Sequence, residues 1–413
     1  MSGLQAPRGT FDVLPDDARR RALVERVAQR VLEAAGYARI ETPAFEATEL
    51  FARGVGEATD IVAKEMYTFD DGGGRSLTLR PEGTAPVCRA YVEHGMHKLS
   101  QPVRLWYLSS FFRHEAPQAG RYRQFWQVGA EALGSDDPAL DAESIVLLAE
   151  LLAELGVRDV RLRIASLGAA PERAIYRDDL AVFLREHSEQ LSAEVRARIE
   201  LNPLRAFDSD HPGTRAAMVF APRLADYISV ADRAHFADVC ELLDEVGLVY
   251  ELDATLVRGL DYYTRTVFEF TSDALGAQSG VGGGGRYDRL VEQLGGQPTP
   301  GLGWAAGVER ILLASDGPPV APVPVDLFVA YTAPGLRNAA FTLASAARRA
   351  GLAAQLELAG RGLKGQMKFA GRLGARHVAI LGAEETVLKD MESGEQREVG
   401  RGEVIAAIKR VTL

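Results

Sequence analysis

Apolar side chains recur every three to four residues along the segment 16–35, a spacing that places them on one face of a helix. The residues on that face are Leu23, Val27, Val31 and Ala34. Asp16 is the expected N-cap and Gly36 the expected stop, because short acceptor side chains and glycine are favoured at those two ends. A short strand over 37–42 is then predicted to end at Pro43.

Further along the chain, strand-like runs over 103–112 and 123–133 flank a polar loop, and a strong helix is predicted over 137–156. Residues 171–245 carry helical patterns rich in Ala, Arg and Glu, and strand-like sequence returns at 249–271. The pattern therefore predicts a sheet of separated strands, interrupted by a helical insert at about 171–245.

The pattern changes after a proline-rich segment, 316–324, whose four prolines are expected to form a stiff, extended linker. Beyond it, apolar runs alternate with helical stretches. The strand-like runs are 325–331, 354–358 and 377–381, and the clearest helical stretches are 335–349 and 403–410. This alternation predicts a small α/β domain with at least partly parallel pairing. We therefore expect one domain over 1–322 and a second over 325–413.

Composition adds a charge asymmetry to this picture. Of the 413 residues, 47% are hydrophobic and 25% charged, which excludes a collagen-like, disordered or disulfide-framework protein. The net charge of −10 argues mildly against a polyanionic partner. However, residues 323–413 carry 13 Lys and Arg against 9 Asp and Glu, a net of +4, which leaves −14 for the remainder. The total charge is therefore a poor guide to the partner of the second domain.

The chain has two cysteines, Cys88 and Cys240, and neither has a neighbour at metal-ligand spacing. They are expected to be small core residues in a reducing cytoplasm. The N-terminal sequence lacks an apolar run behind a basic patch, and no stretch of the sequence has the length and apolarity of a membrane span. A soluble cytosolic protein is expected.

Residues 280–285 satisfy the dinucleotide-binding pattern G-x-G-x-x-G, but they do not end the first strand of a βαβ unit. We therefore reject them as a nucleotide site. Five glycines in this run are better explained by close approach of the backbone to another backbone or to a ligand. The sequence also contains no P-loop, no H-E-x-x-H and no paired C-x-x-C.

The segment 111–127 is the first strong candidate for chemistry. A solvated charged hairpin is the usual explanation of such a run. However, Arg113 and Glu115 are two residues apart and would share a strand face, and Phe125 has the same parity as Arg121. One face would then offer guanidinium groups to phosphate and an aromatic ring to a base, which favours a nucleotide site.

Three further clusters are ambiguous when each is taken alone. Residues 80–84 are either a polar turn with a surface ion pair or part of a site. Residues 258–263 are either a strand end with half-buried tyrosines or a binding segment. Arg310, on the first turn of a helix, is a surface arginine or an addition to the positive end of that helix.

A basic stripe in the second domain has two explanations that the residues alone do not separate. It consists of Arg361, Lys364, Lys368, Arg372 and Arg376 at helical spacing. Such a stripe is either a solvated face or a surface that follows a phosphate backbone.

Taken together and in this order, the motifs resemble those of the histidine–tRNA ligase family, within the class II aminoacyl-tRNA synthetases, over nearly the whole chain. The motifs similar to the three class-wide ones are the helix and strand ending at Pro43, then 112–115 with Arg121 and Phe125, then 307–310. The motifs similar to the histidine-specific ones are 79–84 (LRPEGT), 256–263 (LVRGLDYY) and 282–288 (GGGGRYD). The chain departs from the class-wide second motif at Gly129, and its acid is Glu131, which is the arrangement of the histidine ligases.

The resemblance implies an α+β catalytic domain of the class II type, with an antiparallel sheet flanked by helices and a helical insertion, followed by a C-terminal α/β anticodon-binding domain. It implies ATP-dependent activation of L-histidine to histidyl-adenylate and transfer of the histidyl group to the 3′ end of tRNA(His). Mg²⁺ would neutralise the β and γ oxygens of ATP. Attack of a carboxylate on the α-phosphate requires positioning and cationic support, not a protein nucleophile. A homodimer formed through the first motif is also implied.

The resemblance also implies roles for individual residues. Arg113 and Arg258 should support the α-phosphate and Arg310 the γ-phosphate, while the remaining ATP-site residues are Glu115, Arg121 and Phe125, the last stacked on adenine. The residues implied for histidine are Glu82, Thr84 and Gln127 at its amino group, Glu131 and Tyr263 at its imidazole, and Tyr262 and Tyr287 in the pocket lining. The implied tRNA contacts are Gln118 and Gly120 at the acceptor end, and Arg361, Lys364, Lys368 and Arg372 in the anticodon-binding domain.

Two other functions are considered beside this one. A catalytically inactive, synthetase-like regulatory subunit of ATP phosphoribosyltransferase typically loses the C-terminal domain and the arginine and histidine-pocket signatures, all of which this chain keeps. A generic nucleic-acid-binding module does not explain the tyrosine pair at 262–263. Histidine-dependent exchange of pyrophosphate into ATP discriminates the three.

Overall fold

The computed structural model of the chain describes residues 4–56, 59, 61–118, 120–256, 260–276, 279–316 and 324–412. The chain forms two compact units, Met1–Pro318 and Pro319–Leu413. Most of the predicted proline-rich linker, 317–323, lies outside the described residues.

The first unit contains two sheets whose strands are far apart in the sequence. The strands are β1 (Ala38–Arg39), β2 (Phe45–Ala47), β3 (Tyr67–Asp70), β4 (Ser76–Leu79), β5 (Val103–Phe112), β6 (Gln124–Leu133), β7 (Val160–Ser166), β8 (Glu251–Leu252), β9 (Thr264–Ser272), β10 (Gly280–Arg286) and β11 (Gly301–Gly307). The large sheet has the order β1-β5-β6-β11-β10-β9-β7-β8, and β2-β4-β3 form the small one. The large sheet is antiparallel except at its two edges, where β1–β5 and β7–β8 pair in parallel.

Helices cover the large sheet on both faces. The helices of this unit are α1 (Pro15–Ala34), α2 (Thr48–Val55), α3 (Thr84–Glu93), α4 (Pro138–Glu154), α5 (Ala170–Glu186), α6 (Ala193–Arg198), α7 (Pro212–Met218), α8 (Val230–Glu245), α9 (Leu290–Gln293) and α10 (Val308–Ala314). Side chains of β5 alternate between two cores: Trp106 packs with α1, α4, α8 and α10, while Leu105 and Tyr107 pack with α2, α3 and α9. The antiparallel sheet flanked by helices confirms the predicted fold class.

The predicted cap of the first helix is wrong. α1 begins at Pro15 after Leu14, so Asp16 lies inside the first turn, where it pairs with Arg19. Proline is favoured at this first position because its missing N–H has no helical partner there, and an acid in the first turn complements the helix dipole. The predicted stop is confirmed: α1 ends at Ala34, and Gly36 just beyond it adopts the left-handed backbone with φ of 81°.

Two predicted strands are shorter than expected. The strand predicted over 37–42 is reduced to the two residues of β1, and the strand-like run 249–271 divides into β8 and β9. The glycine run, in contrast, is a strand, β10. A Cβ on Gly282 would lie 2.7 Å from Cβ of Ala306 on β11, so close approach of the two strands explains the glycine.

The helical insert has a small core of its own. That core contains Tyr176, Leu180, Leu184, Leu191, Val195, Ile199, Ala206, Ala217 and Leu224. The last helix of the predicted insert behaves differently, because Val239 and Leu243 of α8 pack in the core formed by α1 and α4. α8 therefore packs with the helices that cover the large sheet and is not part of the insert's own core.

Over residues 324–412, the second unit is a five-stranded sheet with three α-helices. Its elements are β12 (Leu327–Tyr331), α11 (Arg337–Arg349), β13 (Ala354–Leu356), α12 (Leu363–Arg372), β14 (His377–Leu381), β15 (Thr386–Asp390), β16 (Gln396–Glu398) and α13 (Val404–Thr412). The order is β13-β12-β14-β15-β16, and β12 is parallel to both neighbours, as predicted. The antiparallel hairpin β15–β16 was not predicted, since β16 is an exposed edge strand without apolar residues.

Candidate active site

A cavity of about 380 Å³ in the first unit brings together residues that are more than two hundred positions apart in the sequence. The predicted site residues on its wall are Glu82, Thr84, Arg113, Glu115, Gly120, Arg121, Phe125, Gln127, Tyr262, Tyr263 and Arg310. Glu131 and Tyr287 lie behind this wall, in contact with Thr84 and Tyr262 respectively. Arg258 lies outside the described residues.

One group of these side chains is cationic. Nε of Arg113 donates to the carbonyl oxygen of Pro81 at 2.9 Å, and the guanidinium lies over the ring of Phe125, 5.3 Å from its centroid. Glu115 is placed between two arginines, with its carboxylate 3.8 Å from Arg113 and 3.4 Å from Arg121. Arg113, Glu115 and Arg121 follow β5 and precede β6, whereas Phe125 lies on β6, so the predicted strand parity does not apply to the three charged residues.

Arg310 completes the cationic group from the first turn of α10. Its Nε donates to the carbonyl oxygen of Gly120 at 3.1 Å, and its Nη1 donates to that of Gly280. Burial and the neighbouring charge of Arg121 lower the pKa of Arg310, while Glu115 and Glu269 oppose that shift. A concentration of positive charge that is only partly balanced by carboxylates suits an anionic ligand.

The second group is centred on Glu131, whose side chain is fully buried. Its Oε1 accepts hydrogen bonds from Thr84 Oγ1 at 2.8 Å and from the Tyr107 hydroxyl at 3.3 Å, and its Oε2 accepts one from the Tyr287 hydroxyl at 2.6 Å. Burial raises the pKa of Glu131 to about 8, although the hydrogen bonds from Tyr287 and Thr84 lower it. The carboxyl group is thus held in a fixed orientation with neutral partners only.

Glu82 has a structural task at this site. Its carboxylate accepts the backbone N–H groups of Thr84 at 2.7 Å and Ala85 at 3.0 Å, so it caps the N-terminus of α3. Burial raises the pKa of Glu82, while these two backbone bonds and the charge of Arg113 lower it. Capping fixes the first turn of α3 and hence the hydroxyl of Thr84 that reaches Glu131.

The two consecutive tyrosines contribute their rings to the cavity. The ring centroids of Tyr262 and Tyr263 are 4.8 Å apart, and Tyr262 makes an edge contact with Tyr287 at 5.8 Å. Burial raises the pKa of both Tyr262 and Tyr287 well above the ordinary range, so both hydroxyl groups stay protonated at physiological pH.

Sequence reasoning missed Tyr107 and the glycines that make room around Glu131. Gly129 is paired with Tyr107 across β5 and β6, and a Cβ on Gly129 would lie 2.7 Å from Cε2 of that ring. Gly303 is paired with Glu131 across β6 and β11, and a Cβ there would overlap the carboxylate. The glycine at 129, noted as a departure from the class-wide motif, was the available signal: it creates the space that Tyr107 fills.

The predicted tRNA residues of the first unit lie at a tight turn. Gln118 and Arg121 exchange backbone hydrogen bonds of 2.9 and 3.1 Å, and Gly120 between them has φ of 74°. Gln118 is exposed, whereas the carbonyl oxygen of Gly120 is bonded to Arg310. The turn therefore connects the cationic group to the protein surface.

The residues of the predicted basic stripe do not all lie on one helix of the second unit. α12 begins at Leu363, so Lys364, Lys368 and Arg372 form an exposed helical row, while Arg361 precedes the helix. Arg361 pairs with the buried Glu357 at 3.2 Å and lies over the ring of Phe369, 4.1 Å from its centroid. The expectation that Arg361 belongs to the helical row is wrong, because its side chain is engaged within the fold.

Within the described part of the chain, no group of three or more His, Cys, Asp and Glu side chains is arranged to hold a metal ion. Cys88 and Cys240 are both free thiols. Over the same residues, every helix is too short or too polar to cross a membrane.

Comparisons with known proteins agree over nearly the whole length. Residues 9–311 match the family model described as Histidyl-tRNA synthetase. The histidine–tRNA ligase of Desulforamulus reducens is 46% identical over 98% of this chain and 99% of its own, and that of Rubrobacter xylanophilus is 48% identical over 96% of each. The crystal structure of apo S. aureus histidyl-tRNA synthetase has a TM-score of 0.82 at 33% identity and covers 98% of this chain and 100% of its own.

Proposed function

The chain belongs to the histidyl-tRNA synthetase family, and on that premise we propose how the residues of its cavity divide the reaction between them. The enzyme activates L-histidine with ATP and transfers the histidyl group to tRNA, as a class II aminoacyl-tRNA synthetase. The regulatory-subunit alternative is not favoured, since the full-length relatives are ligases. The observation that carries the residue roles is the separation of the cavity wall into a cationic group around Arg113 and a neutral hydrogen-bonded group around Glu131.

The cationic group is proposed to bind ATP. The bond from Nε to Pro81 fixes the plane of the Arg113 guanidinium, which leaves its terminal nitrogens to donate to the α-phosphate. Arg310 would meet the γ-phosphate, and Phe125, adjacent to Arg113, would stack on adenine. Glu115 orients Arg113 and Arg121 between them. Charge that develops on the α-phosphate during attack by the histidine carboxylate is then met by cations already in place.

Arg258 is proposed to support the α-phosphate from the opposite side. This role rests on the family resemblance of the segment 256–263 alone. It requires that the arginine reach the same cavity as its neighbours Tyr262 and Tyr263.

The neutral group is proposed to bind histidine. Glu131 would accept the N–H of the imidazole, with Tyr263 as the second partner of the ring and Tyr262 as lining. Tyr287, with Thr84, orients the Glu131 carboxyl group. The amino group of the substrate would be bound by Gln127, Thr84 and Glu82, whose carboxylate oxygens retain lone pairs beyond the two backbone bonds.

Discrimination by this pocket would follow from the buried polar groups that a wrong substrate leaves without a hydrogen bond. Side chains that cannot satisfy both the carboxyl and the hydroxyl partners leave buried groups without hydrogen bonds, at roughly 1–3 kcal/mol each. Such a site rejects analogues that lack the correct donors without a separate editing step.

Mg²⁺ is proposed to arrive with ATP rather than to reside in the protein. Hard cations of this kind are commonly held by substrate phosphates and one or two carboxylates. Glu115 and Glu269 both line the cavity close to Arg310 and are the carboxylates that would hold the ion, which neutralises phosphate charge when bound.

The partner surfaces are proposed as follows. Gln118 and Gly120 would contact the acceptor end of tRNA, and Lys364, Lys368 and Arg372 its anticodon arm, with Arg361 supporting the start of α12.

A homodimer is supported by two exposed rings on the small sheet, Phe45 and Phe69, whose centroids are 6.3 Å apart; Phe45 follows the first motif. The free thiols and the tRNA substrate favour a cytoplasmic location.

Purified protein assayed for histidine-dependent exchange of pyrophosphate into ATP tests this function, followed by charging of tRNA(His). We expect exchange with histidine and no exchange with glutamine or phenylalanine, which match parts of its shape. Absence of exchange with histidine, in protein that is folded and binds ATP, contradicts the proposal. Light scattering of the eluted protein tests the dimer separately.

A further inference from the structure

The helical insert reaches the candidate histidine pocket through one half-buried arginine. Arg173 lies in the first turn of α5, and its guanidinium donates to the carbonyl oxygen of Asp261 at 2.9 Å and to that of Tyr263. These two carbonyl groups flank Tyr262. One planar fork therefore binds alternate carbonyls of the segment that carries both pocket tyrosines.

The side chains of Tyr262 and Tyr263 pack in the core, but the backbone just before them lies between two cavities. Leu260 lines the main cavity and also a second cavity of about 110 Å³ on the side of the insert, which Arg173 and Asp261 line as well. Beside the packing of the two tyrosines, this backbone is held by the hydrogen bonds from Arg173 and by a bond of 3.3 Å from the N–H of Asp261 to the carbonyl oxygen of Val55.

The base of α5 is itself anchored to the strand that follows the tyrosines. Asp232, buried at the start of α8, accepts the backbone N–H of Ala169 at 3.0 Å and Nε of Arg265 at 2.8 Å. Arg265 adopts a left-handed φ of 45°, and its N–H and carbonyl groups bond Gly168 and Leu167. The start of α5, from which Arg173 projects toward the pocket, is therefore fixed by hydrogen bonds to α8 and to the strand β9.

The Arg173 side chain is partly shielded from solvent, which strengthens its hydrogen bonds. Burial lowers the pKa of Arg173, while the charge of Asp261 raises it. A desolvated guanidinium is retained where its hydrogen bonds are satisfied, and removal would leave two carbonyl groups without their donor.

We propose that Arg173 is a positioning residue for histidine recognition, which holds Tyr262 and Tyr263 in place and couples the insert to the pocket. The inference rests on the proposed function of the tyrosines. It predicts a selective effect on histidine, because Arg173 binds the backbone of the two tyrosines, whereas Arg113 and Arg310 are bonded to Pro81 and Gly120.

The test compares Arg173→Gln, Arg173→Lys and the control Arg177→Gln in histidine-dependent exchange. Arg177 is one turn further along α5 and donates within the insert, to Leu201 at 3.2 Å. We expect Arg173→Gln to raise KM for histidine about tenfold, since misplaced binding groups lose that much or more, with KM for ATP unchanged. Arg173→Lys should restore part of the loss, and Arg177→Gln should behave as wild type.

KM for histidine within twofold of wild type in Arg173→Gln overturns the inference, as does an equal rise in both KM values or the same effect in Arg177→Gln. If circular dichroism shows that Arg173→Gln is unfolded, Arg173→Lys decides, and an unchanged KM for histidine in that variant overturns the inference. Wild-type protein without exchange overturns the proposed function as well. Exchange by wild type with an unaffected Arg173→Gln overturns this inference alone.

Discussion

The hydroxyl group of Tyr287 donates a hydrogen bond of 2.6 Å to Oε2 of Glu131, and both side chains are shielded from solvent. The bond joins the residue that follows β10 to the C-terminal part of β6, across the intervening strand β11. The glycine-rich sequence and the acid after the second class II motif thus meet at one carboxyl group. This bond, with those from Thr84 and Tyr107, leaves Glu131 a single orientation in which to receive a substrate donor.

Glu131→Gln should weaken histidine binding selectively. The amide keeps the shape of the side chain but turns an NH₂ group toward hydroxyl donors, which leaves those donors without an acceptor. A buried polar group left without its partner costs about 1–3 kcal/mol, so we expect KM for histidine to rise roughly tenfold to a hundredfold. KM for ATP should stay constant in the same exchange assay. Tyr107→Phe, which removes only the longer of the two bonds to Oε1, is the control and should lose less.

The stability of the free enzyme should depend on the ionisation of Glu131. Burial raises the pKa of Glu131 from 4.5 to about 8. The folded state therefore binds this proton more tightly than the unfolded state, and the stabilisation is complete below pH 4.5 and lost as pH rises through 8. We expect the melting temperature of wild type to fall between pH 6 and pH 9 by more than that of Glu131→Gln. Parallel curves for the two proteins would contradict this assignment.

Gly303→Ala should abolish histidine activation. A Cβ at this position would overlap the Glu131 carboxylate and lie 2.8 Å from the carbonyl oxygen of Ala130, so Glu131 must leave its hydrogen bonds or β11 must move away from β6. Overpacking of this kind costs about 1–3 kcal/mol, and melting should be measured beside exchange. Gly371→Ala in α12, where a Cβ meets open space, is the control and should melt at or above the wild-type temperature.

Much of the fold could be predicted because the residues involved follow a local rule. Clear apolar periodicity marks the strands β5 and β6 and the helix α4 after Asp137. The alternation of apolar runs and helical stretches likewise indicated the parallel pairing of β12. The failures are places where tertiary structure decides. β16 has no apolar residue, and Asp16 follows a proline that takes the first helical position.

The site could be predicted as a set of residues but not as a set of contacts. Motif order identified Glu131 and Thr84, yet their mutual hydrogen bond depends on the capping of α3 by Glu82. Tyr107 carries no motif of its own. Its role follows from a cross-strand pairing with Gly129, and such pairings are set by sheet register, which the sequence does not state.

The exposed row Lys364, Lys368 and Arg372 on α12 should bind the phosphate backbone of tRNA. Replacing all three by Gln should raise KM for tRNA(His) in the charging assay by roughly tenfold and reduce the salt dependence of binding by about two to three units of slope, because three phosphate contacts no longer release counterions. Histidine-dependent exchange, which needs no tRNA, should be unchanged.

The matched control replaces Arg401, Lys409 and Arg410, three exposed cations of the same unit, and removes the same net charge. Equal effects of the two triple variants would mean that only net charge matters and that the row on α12 is a solvated face. A loss confined to the α12 variant, with exchange intact, would assign the row to tRNA.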